Sequence, residues 1–551
     1  MLLTGAEILI KELIKLGVDT VFGYPGGYVV NIYDELYKNA DKITHILPAH
    51  EQGAAHAADA YARVSGKVGV VFATGGPGAT NLITGIANAY LDSVPVVFIT
   101  GNVAVPMLGQ DSFQDIDIAG VTLPIVKHSY VVKDIKHLQE IVNEAFLIAG
   151  SDRKGPVHID IPISIQIDTF EFDPFIQNNA IKEKPQISES DIIAAADLIN
   201  QSNRPYIYCG GGVSATDTGH FIMQLSGKID APVGMSMMGI GSVPCSFEMN
   251  LGMSGMHGRY TSIVAKSEAD LIIALGVRFS DRATGNASEY AGNTAVIHID
   301  IDAAELSKNI KPNVGICGDL KDILPLLLNT VKQKSNNKWF KRIKELKEND
   351  NKPLDKKFVP RNIISHVNKY YDDETVVATD VGQHQMWVAQ YYRFERPRKF
   401  VSSGGLGAMG YGLGAAIGAS VALGRKRTIL FTGDGSFGMN LVELATAVTQ
   451  NIPVTIILLN NGSLGMVRQW QSLFYDKRYS STTLDRKTNF PALAIAFGAA
   501  GFQVTSLEEL NDALKKAPHD VPCLIECKID IDEKVLPMIP VSGSITDVIL
   551  R

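Results

Sequence analysis

The chain has 551 residues, which suggests about three domains at roughly 100 to 200 residues each. Hydrophobic residues make up 46% of the chain and charged residues 20%, so it is not disordered and has enough apolar surface for packed cores. The formal net charge of -7 creates no global field that would attract nucleic acid or an anionic membrane, and we expect neither as a partner.

The N-terminal segment predicts a helix and not a signal peptide, because Glu7, Lys11 and Glu12 interrupt its apolar pattern. Thr4 and Glu7 have the spacing of a capping box, and Gly17 is placed to end the helix. The five cysteines form no CxxC pair, which favours buried thiols in a reducing compartment over a disulfide framework or a zinc site. We therefore expect a cytoplasmic protein.

Short β-rich runs alternate with helical patterns along almost the whole chain, from VGVVFAT near the N-terminus to PCLIECKID near the C-terminus. This alternation indicates βαβ units, so the predicted fold class is α/β with three doubly wound parallel-sheet domains. Two polar segments, 169–188 and 331–358, are the predicted linkers, and the lysine-rich second one predicts a solvated helix and tether. The predicted domains are residues 1–170, 189–330 and 359–551.

An internal repeat relates the first and third predicted domains. Residues 70–96 align with residues 428–454, with the same apolar pattern of strand, helix and strand, although chance similarity between two βαβ units is the alternative. Parallel sheets bind ligands at the carboxyl ends of their strands, so two such units facing one another would form a composite cleft. At the equivalent strand end the first copy has GGPG (75–78) and the second has GDGS (433–436), which adds the carboxylate of Asp434.

One uncharged segment, 402–424, is long enough to be mistaken for a membrane span. Its glycines favour another interpretation, because Gly410, Gly414 and Gly418 recur at helical spacing and let a buried helix approach another backbone closely. No second apolar span and no aromatic or basic belt accompanies it in the sequence. We predict a buried helix here.

A second motif follows Asp434 after one helix and one strand, where the chain reads Asn460-Asn461-Gly462-Ser463. Asp434 and Asn461 would stand at adjacent strand ends, and two such oxygen ligands suit Mg²⁺. Glycines beside Asp434 let backbone N–H groups approach a diphosphate at a helix start. A GDG sequence alone could be a tight turn with a helix cap, but GDG followed by NN resembles the motif of thiamine-diphosphate enzymes.

That resemblance implies a role for an acidic residue of the facing domain. In the family a glutamate hydrogen-bonds the aminopyrimidine ring of the cofactor and promotes loss of the thiazolium proton, and Glu51 in HEQG matches it. We expect a largely desolvated position for this carboxyl group, while an ordinary acid at a helix start is the alternative. Met409 matches the apolar residue that supports the bent cofactor, and a neutral His384 matches the segment that contacts the diphosphate.

The resemblance narrows to the catalytic large subunits of acetohydroxyacid synthase, also called acetolactate synthase, and covers nearly the whole chain. It rests on VFGYPGG (21–27), GQDSFQDIDIAGVTLPIVKHSY (109–130), GVRFSDRATG (276–285), NNGSLGMVRQWQ (460–471) and VLPMIPVSG (535–543). It implies pyrimidine-binding, central FAD-type and diphosphate-binding domains in that order. It also implies decarboxylation of pyruvate on thiamine diphosphate, with transfer of the two-carbon unit to pyruvate or 2-ketobutyrate, giving 2-acetolactate or 2-aceto-2-hydroxybutyrate.

The resemblance also implies three sets of site residues. The thiamine diphosphate set, with Mg²⁺ on Asp434, Asn461 and Ser463, is Pro25, Gly26, Glu51, Val381, Gly382, Gln383, His384, Gly407, Met409, Gly433, Asp434, Gly435, Ser436, Asn461, Ser463, Leu464, Gly465 and Met466. The set for FAD, whose implied role is structural, is Arg153, Gly211, Gly212, Met256, His257, Gly276, Arg278, Arg282, Asp300 and Asp319. The catalytic set is Glu51, Met409, Arg282, Trp470, Phe113 and Gln114.

Within the catalytic set, Arg282 matches the arginine that holds the carboxylate of the second substrate, and Trp470 matches the tryptophan that favours 2-ketobutyrate. The alternatives are a surface salt bridge for Arg282 and a core position for Trp470. Phe113 and Gln114 match residues that line the substrate entrance.

Three positions depart from the family pattern. Ile163 stands where lysine is usual, which puts a substrate-channel role there in doubt, and Ser280 replaces an aspartate, which weakens one flavin contact. Gly414 replaces a proline, a change that we interpret as a backbone adjustment.

The resemblance further implies a homodimer or homotetramer in which Glu51 of one chain meets Asp434 and Asn461 of another, and it allows for a small regulatory subunit. Rival enzymes on the same scaffold are a flavin-free acetolactate synthase, a pyruvate oxidase and a carboligase that passes acetyl to a keto sugar. A rival of another class is a non-catalytic nucleotide-binding protein.

Overall fold

The computed structural model describes residues 1–176, 186–292, 294–350, 355–541, 543 and 547–550. Its strands are β1 Leu2–Thr4, β2 Thr20–Gly23, β3 Thr44–Ile46, β4 Gly69–Ala73, β5 Val96–Asn102, β6 His128–Val131, β7 Val157–Pro162, β8 Thr169–Glu171, β9 Pro205–Cys209, β10 Val233–Met235, β11 Asn250–Met253, β12 Leu271–Leu275, β13 Ala295–Asp300, β14 Val314–Cys317, β15 Val377–Thr379, β16 Phe400–Val401, β17 Thr428–Gly433, β18 Val454–Asn460, β19 Ala500–Val504 and β20 Cys523–Lys528.

Helices separate most of these strands, as the alternating sequence pattern predicts. They are α1 Gly5–Lys15, α2 Val30–Lys38, α3 Glu51–Ser65, α4 Pro77–Asn81, α5 Ile83–Leu91, α6 Ile118–Thr122, α7 Leu138–Gly150, α8 Ile163–Ile167, α9 Glu189–Gln201, α10 Gly211–Thr216, α11 Gly219–Ile229, α12 Tyr260–Glu268, α13 Asp281–Thr284, α14 Ala287–Tyr290, α15 Leu320–Thr330, α16 Asn337–Asp350, α17 Pro360–Tyr370, α18 Gln383–Tyr391, α19 Tyr411–Ala422, α20 Asp434–Asn440, α21 Glu443–Thr449, α22 Gly465–Phe474, α23 Phe490–Ala496 and α24 Leu507–Lys516.

The described strands form three six-stranded parallel sheets and one antiparallel pair of β1 with β8. The first sheet has the order β3-β2-β4-β5-β7-β6 and the third has β16-β15-β17-β18-β20-β19. When the strands are counted within each sheet, both orders read 2-1-3-4-6-5. This identity confirms the internal repeat, because β4 and β5 of the first unit correspond to β17 and β18 of the third.

The middle sheet has a different order, β11-β10-β9-β12-β13-β14, which reads 3-2-1-4-5-6 within the sheet. That order is the one found in doubly wound dinucleotide-binding folds, where the ligand lies at the point at which the strand order reverses. The predicted α/β class with three doubly wound sheets is therefore confirmed.

The glycine-rich helix α19 is buried between the first and third units, where it packs on α3. A Cβ atom on Gly418 would lie only 1.9 Å from Ala57 O, and one on Gly414 would lie 2.8 Å from Gly53 O. The two helices thus meet backbone to backbone, which confirms the predicted close approach. Within the described ranges, no helix has both the length and the apolar character that crossing a membrane requires.

Local predictions at the N-terminus are also confirmed. Thr4 Oγ1 accepts a hydrogen bond from Glu7 N at 3.3 Å, and Glu7 Oε2 accepts one from Thr4 N at 2.7 Å, which completes the capping box. Gly17 follows the helix with φ +80°. All five cysteines are free thiols.

The second predicted linker is more than a tether. Helix α16 lies within it and buries Trp339, Ile343 and Leu346 against the middle unit, with Trp339 Nε1 donating to Pro205 O at 3.0 Å. Its polar face is solvated as predicted, but its apolar face belongs to a core. In the first predicted linker, β8 pairs with β1, and residues 177–185 lie outside the described residues.

Candidate active site

The predicted metal ligands lie at the carboxyl edge of the third sheet. Strands β17 and β18 run parallel with Gly433 opposite Leu459, so Asp434 and Asn461 follow their strands at the same edge. Asp434 opens α20 and is only 5% exposed. Burial raises the pKa of its carboxyl group to about 6, although its own N–H and that of Gly435 hold the pKa down in part. A carboxylate in this setting is suited to a cation that would offset the cost of its burial.

A hydrogen-bond network orients the amide of Asn461. Its Oδ1 accepts from Ser463 N at 3.1 Å, and its Nδ2 donates to Gln383 Oε1 at 3.2 Å. Gln383 Nε2 in turn donates to Gln469 Oε1 at 3.1 Å. Ser463 Oγ donates to Thr482 O at 2.9 Å, so its hydroxyl proton is already committed. The Asn461 oxygen keeps a free lone pair, which is compatible with metal binding.

His384 lies in α18 with its ring beside Gly382 and Gly433. Burial lowers the pKa of the imidazole to about 3, so the ring is neutral. Its Nε2 is buried without a partner among the described residues. A buried polar atom of this kind is normally satisfied, and a phosphate group of a ligand could satisfy it.

Sequence reasoning missed Asp380, a fully buried carboxyl group that joins two cofactor segments. Its Oδ1 accepts from Val381 N at 2.9 Å and from Gly410 N at 2.8 Å. Burial raises its pKa to about 6. The signal was available, because Asp380 directly follows one strand, β15, as Asp434 directly follows another, β17.

A cavity of about 830 Å³ lies between the three units and collects most of the remaining predictions. Every residue of the implied FAD set lines it: Arg153, Gly211, Gly212, Met256, His257, Gly276, Arg278, Arg282, Asp300 and Asp319. Six residues from the other sets also line it: Val381, Gly382, Gly407, Met409, Met466 and Trp470. One space therefore connects the middle unit with the glycine-rich loop of the third.

Two features of this cavity fit a dinucleotide. A Cβ on Gly210 would lie 1.9 Å from Gly276 O, so the loops after β9 and β12 pack backbone to backbone at the point where the strand order reverses, and the adjoining Gly211, Gly212 and Gly276 line the cavity. His257 Nδ1 and Glu305 Oε2 are buried without partners in the part of the chain that the structure describes. Arg153, predicted for the flavin, donates to Glu305 at 2.6 Å and to Asp302 at 3.2 Å, two acids that sequence reasoning missed.

Arg282 and Trp470 meet at one wall of the cavity. The guanidinium carbon lies 5.5 Å from the centre of the tryptophan ring, and Nη1 lies 3.9 Å from Met256 Sδ. The Arg282 side chain is 58% exposed and its contact with Asp281, at 3.7 Å, leaves most of its hydrogen-bonding capacity free. Met409 approaches from the third unit, with Cε 3.8 Å from the place of a Cβ on Gly435. The cavity therefore presents the positive charge of Arg282 beside the apolar ring of Trp470.

The predicted residues of the first unit form a separate patch. Glu51 Oε2 accepts from Asn81 Nδ2 at 3.0 Å, and the Phe113 carbonyl accepts from the Tyr28 hydroxyl at 2.7 Å. Gln114, whose backbone φ is +61°, packs against Gly76. The Phe113 side chain is 80% exposed. The described residues that line the cavity lack five of the predicted ones: Pro25, Gly26, Glu51, Phe113 and Gln114.

Glu51 is half-buried in the single chain. The turn before it is fixed by Glu443 of the third unit, another residue that sequence reasoning missed. The Glu443 carboxylate accepts from Ala49 N at 3.1 Å and from His50 N at 3.0 Å. The structure thus gathers the predicted site residues into two groups, one on the first unit and one around the cavity and the third sheet.

The three departures from the family pattern lie at different places. Ile163 is half-buried at the start of α8, Ser280 lines the cavity just before α13, and Gly414 lies in the contact between α19 and α3. The structure gives Gly414 a packing reason, because little space remains beside Gly53.

Comparison with known protein families identifies three matching regions. Residues 3–121 match the family described as thiamine pyrophosphate enzyme, N-terminal TPP binding domain; residues 192–327 match its central domain; and residues 380–527 match its C-terminal TPP binding domain. These matches follow the three sheets in order.

Curated relatives match over almost the full length. The chain is 42% identical to the acetolactate synthase large subunit of Lactococcus lactis, over 98% of this chain and 94% of the relative. It is 43% identical to the protein of the same name from Porphyra purpurea, over 97% and 93%. It is 41% identical to the acetolactate synthase isozyme 1 large subunit of Escherichia coli, over 99% and 97%.

Proposed function

The chain belongs to the acetolactate synthase large-subunit family of thiamine pyrophosphate enzymes, and on this premise we propose that it is an acetohydroxyacid synthase. The proposed reaction decarboxylates pyruvate and joins the two-carbon unit to pyruvate or 2-ketobutyrate, as a step in branched-chain amino acid biosynthesis in the cytoplasm. The observation that carries the proposal is the single cavity that Met409, Arg282 and Trp470 all line, with the Arg282 guanidinium lying against the Trp470 ring.

Thiamine diphosphate and Mg²⁺ would be held at the edge of the third sheet. Asp434 and Asn461 would supply oxygen ligands to the metal, with Ser463 beside them, and the N–H groups at the start of α20 would face the diphosphate. The unpartnered His384 ring nitrogen would complete the phosphate contacts. When bound, the cofactor supplies the electron sink that decarboxylation of a 2-ketoacid requires.

FAD would occupy the part of the cavity formed by the middle unit. The backbone-lined crossover point at Gly211 and Gly212 and the guanidinium of Arg153 would receive its diphosphate. Because the proposed reaction involves no net redox change, the flavin would act by filling the cavity and holding the three units together. Arg153 would then bridge the flavin and the acids Asp302 and Glu305.

The second substrate would bind at the wall of Arg282 and Trp470. The guanidinium presents parallel donors that match a carboxylate, and the tryptophan ring gives the alkyl group of the acceptor an apolar contact. Water must be excluded here, since protons from solvent would quench the transferred unit before ligation.

Glu51 would hold a proton beside the aminopyrimidine ring of the cofactor. Because Glu51 lies in a patch apart from the cavity of its own chain, we propose a homodimer, or a tetramer built from it, in which the patch of one chain closes the site of another. Phe113 and Gln114, which belong to the same patch, would then border the entrance. The relatives carry the name large subunit, which suggests a small regulatory subunit as a further partner.

The test is a product assay on the purified chain with pyruvate, thiamine diphosphate and Mg²⁺, with and without 2-ketobutyrate and FAD. In the mixtures that contain pyruvate and all three cofactors, we expect 2-acetolactate and no oxygen uptake. When 2-ketobutyrate is also present, we expect 2-aceto-2-hydroxybutyrate as well. Oxygen uptake with acetyl products would indicate a pyruvate oxidase instead. Cofactor binding without any turnover would refute the proposal in favour of a non-catalytic protein.

A further inference from the structure

The glycine-rich loop 403–409, which carries Met409, is held by charged groups of a different unit. Arg63 and Asp92 belong to the first unit, and their side chains are 11% and 0% exposed. The Asp92 carboxylate accepts from Gly405 N at 2.7 Å through Oδ1 and from Gly404 N at 3.0 Å through Oδ2. The loop is therefore fixed through its backbone by a buried anion.

Arg63 joins Asp92 to Asp59, and we call these three side chains the anchor of the loop. Its Nη2 donates to Asp92 Oδ2 at 2.9 Å, its Nη1 donates to Ser402 O at 3.2 Å, and its Nε donates to Asp59 Oδ1 at 2.6 Å. Asp59 also accepts from the Tyr411 hydroxyl at 2.6 Å. One guanidinium thus joins two buried carboxylates, of which Asp92 contacts the loop itself and Asp59 contacts Tyr411 just after the loop.

A second chain of hydrogen bonds reaches the residue before Met409. Ser403 Oγ donates to Asn88 Oδ1 at 2.5 Å and accepts from Ala408 N at 2.9 Å. Asn88 Nδ2 donates to Asp59 Oδ2 at 3.2 Å. Both ends of the loop are therefore tied to the first unit.

Space is restricted on both sides of the loop. A Cβ on Gly404 would lie 2.2 Å from Met238 Sδ of the middle unit, whereas one on Gly405 would lie 2.9 Å from Leu91 Cβ of the first unit. Residues 404–407 and Met409 all line the large cavity. The loop is thus pressed between the anchor and the middle unit, directly beside the place proposed for both cofactors.

From this geometry we propose that Arg63 and Asp92 are positioning residues for the reaction, which hold the loop so that Met409 stands correctly against Gly435. The proposal rests on the proposed function of the site. Charge-assisted hydrogen bonds to two consecutive peptide groups are stronger than neutral ones and fix direction as well as distance. Without the carboxylate, the Gly404 and Gly405 N–H groups lose their acceptor and the loop can leave its place.

The anchor also shares a helix with the proposed catalytic acid. Helix α3 begins with Glu51 and carries Asp59 and Arg63 two and three turns further on. The same rigid element therefore presents Glu51 at one end and fixes the Met409 loop from its other half.

The experiment uses the full-length chain with the substitution Asp92→Asn, which keeps the size of the side chain and removes its charge. The binding of thiamine diphosphate with Mg²⁺ is followed by tryptophan fluorescence, to which Trp470 in the cavity wall contributes. We expect the Kd to rise about tenfold, as the loss of hydrogen bonds to a charged group predicts. Turnover should fall by about as much, while the KM for pyruvate changes less than about twofold, because Arg282 is untouched.

One further measurement and two further variants separate positioning from general stability. Chymotrypsin should cleave after Leu406, which is 38% exposed, faster in the variant than in the wild type. Asp34→Asn is the matched control, since that carboxylate is 63% exposed and pairs with Lys38 on the surface; it should leave the Kd, turnover and cleavage rate unchanged. Arg63→Lys, which keeps the charge but loses the fork, should give an intermediate Kd.

A lower melting temperature with an unchanged cofactor Kd and an unchanged cleavage rate would overturn the proposal. If Asp92→Asn does not fold, Ser403→Ala tests the same loop, and an unaltered Kd and cleavage rate in that variant would equally overturn it. The proposed function fails separately, when the wild type binds the cofactor but forms no acetolactate. Whether or not acetolactate forms, the cofactor Kd and the rate of loop cleavage still test whether Arg63 and Asp92 position the loop.

Discussion

Replacing Trp470 by leucine should change which acceptor the site prefers. The ring stands against the guanidinium of Arg282 and, edge on, against Phe474 at a centroid distance of 6.1 Å. Contact with one extra methylene discriminates by about 1 to 3 kcal/mol, or about 10-fold to 200-fold. Leucine keeps a smaller apolar surface, so we expect the preference for 2-ketobutyrate over pyruvate to fall about tenfold, at the lower end of that range.

The same substitution removes the aromatic face beside Arg282. Since that side chain is 58% exposed, the cation–π contact is worth only about 0.5 to 1 kcal/mol, and the KM for the acceptor should rise about twofold to fivefold. The assay is competition between both acceptors at fixed pyruvate, scored by product ratio. Trp470→Phe, which keeps a ring, should retain a normal KM. An unchanged product ratio in Trp470→Leu would refute the assignment of this wall to the acceptor.

Three other variants test separate parts of the molecule. Glu51→Gln should abolish most turnover while calorimetry still shows cofactor binding, and full activity would contradict its role. Asp434→Asn should remove the Mg²⁺ dependence of thiamine diphosphate binding, and an unchanged Mg²⁺ titration would contradict the metal site. Burial raises the pKa of Asp160 to about 6, so its ionised form destabilises the fold above that pH. Relative to Asp160→Asn, wild-type stability in denaturant titrations should therefore gain about 2 kcal/mol from pH 7 to pH 4; a constant difference would contradict this.

The fold followed from the sequence where a pattern is local. Alternating β and helical runs predicted three parallel sheets, and the repeat predicted that the first and third would share a strand order. The burial of one face of α16 could not be predicted, because a lysine-rich helix buries Trp339 only when the middle unit offers Pro205 O as a partner. That partner lies far away in the sequence.

The site followed from the sequence where residues stand at strand ends. Asp434 and Asn461 come from motifs whose position relative to a strand can be read directly. Asp302 and Glu305 could not be found in this way, because their contact with Arg153 joins different units. A sequence motif indicates which residues carry the chemistry. The partners that hold those residues in place depend on tertiary packing, which the motif does not show.

The position of Glu443 links two sites that the proposed function places in different chains. Its carboxylate binds the peptide N–H groups of Ala49 and His50, so the third unit of a chain fixes the approach of its own Glu51. Glu443 opens α21, close behind the helix that Asp434 opens. In the proposed dimer, where Glu51 would serve the other chain, the contacts of Glu443 would therefore lie between the metal edge of one site and the catalytic acid of the other.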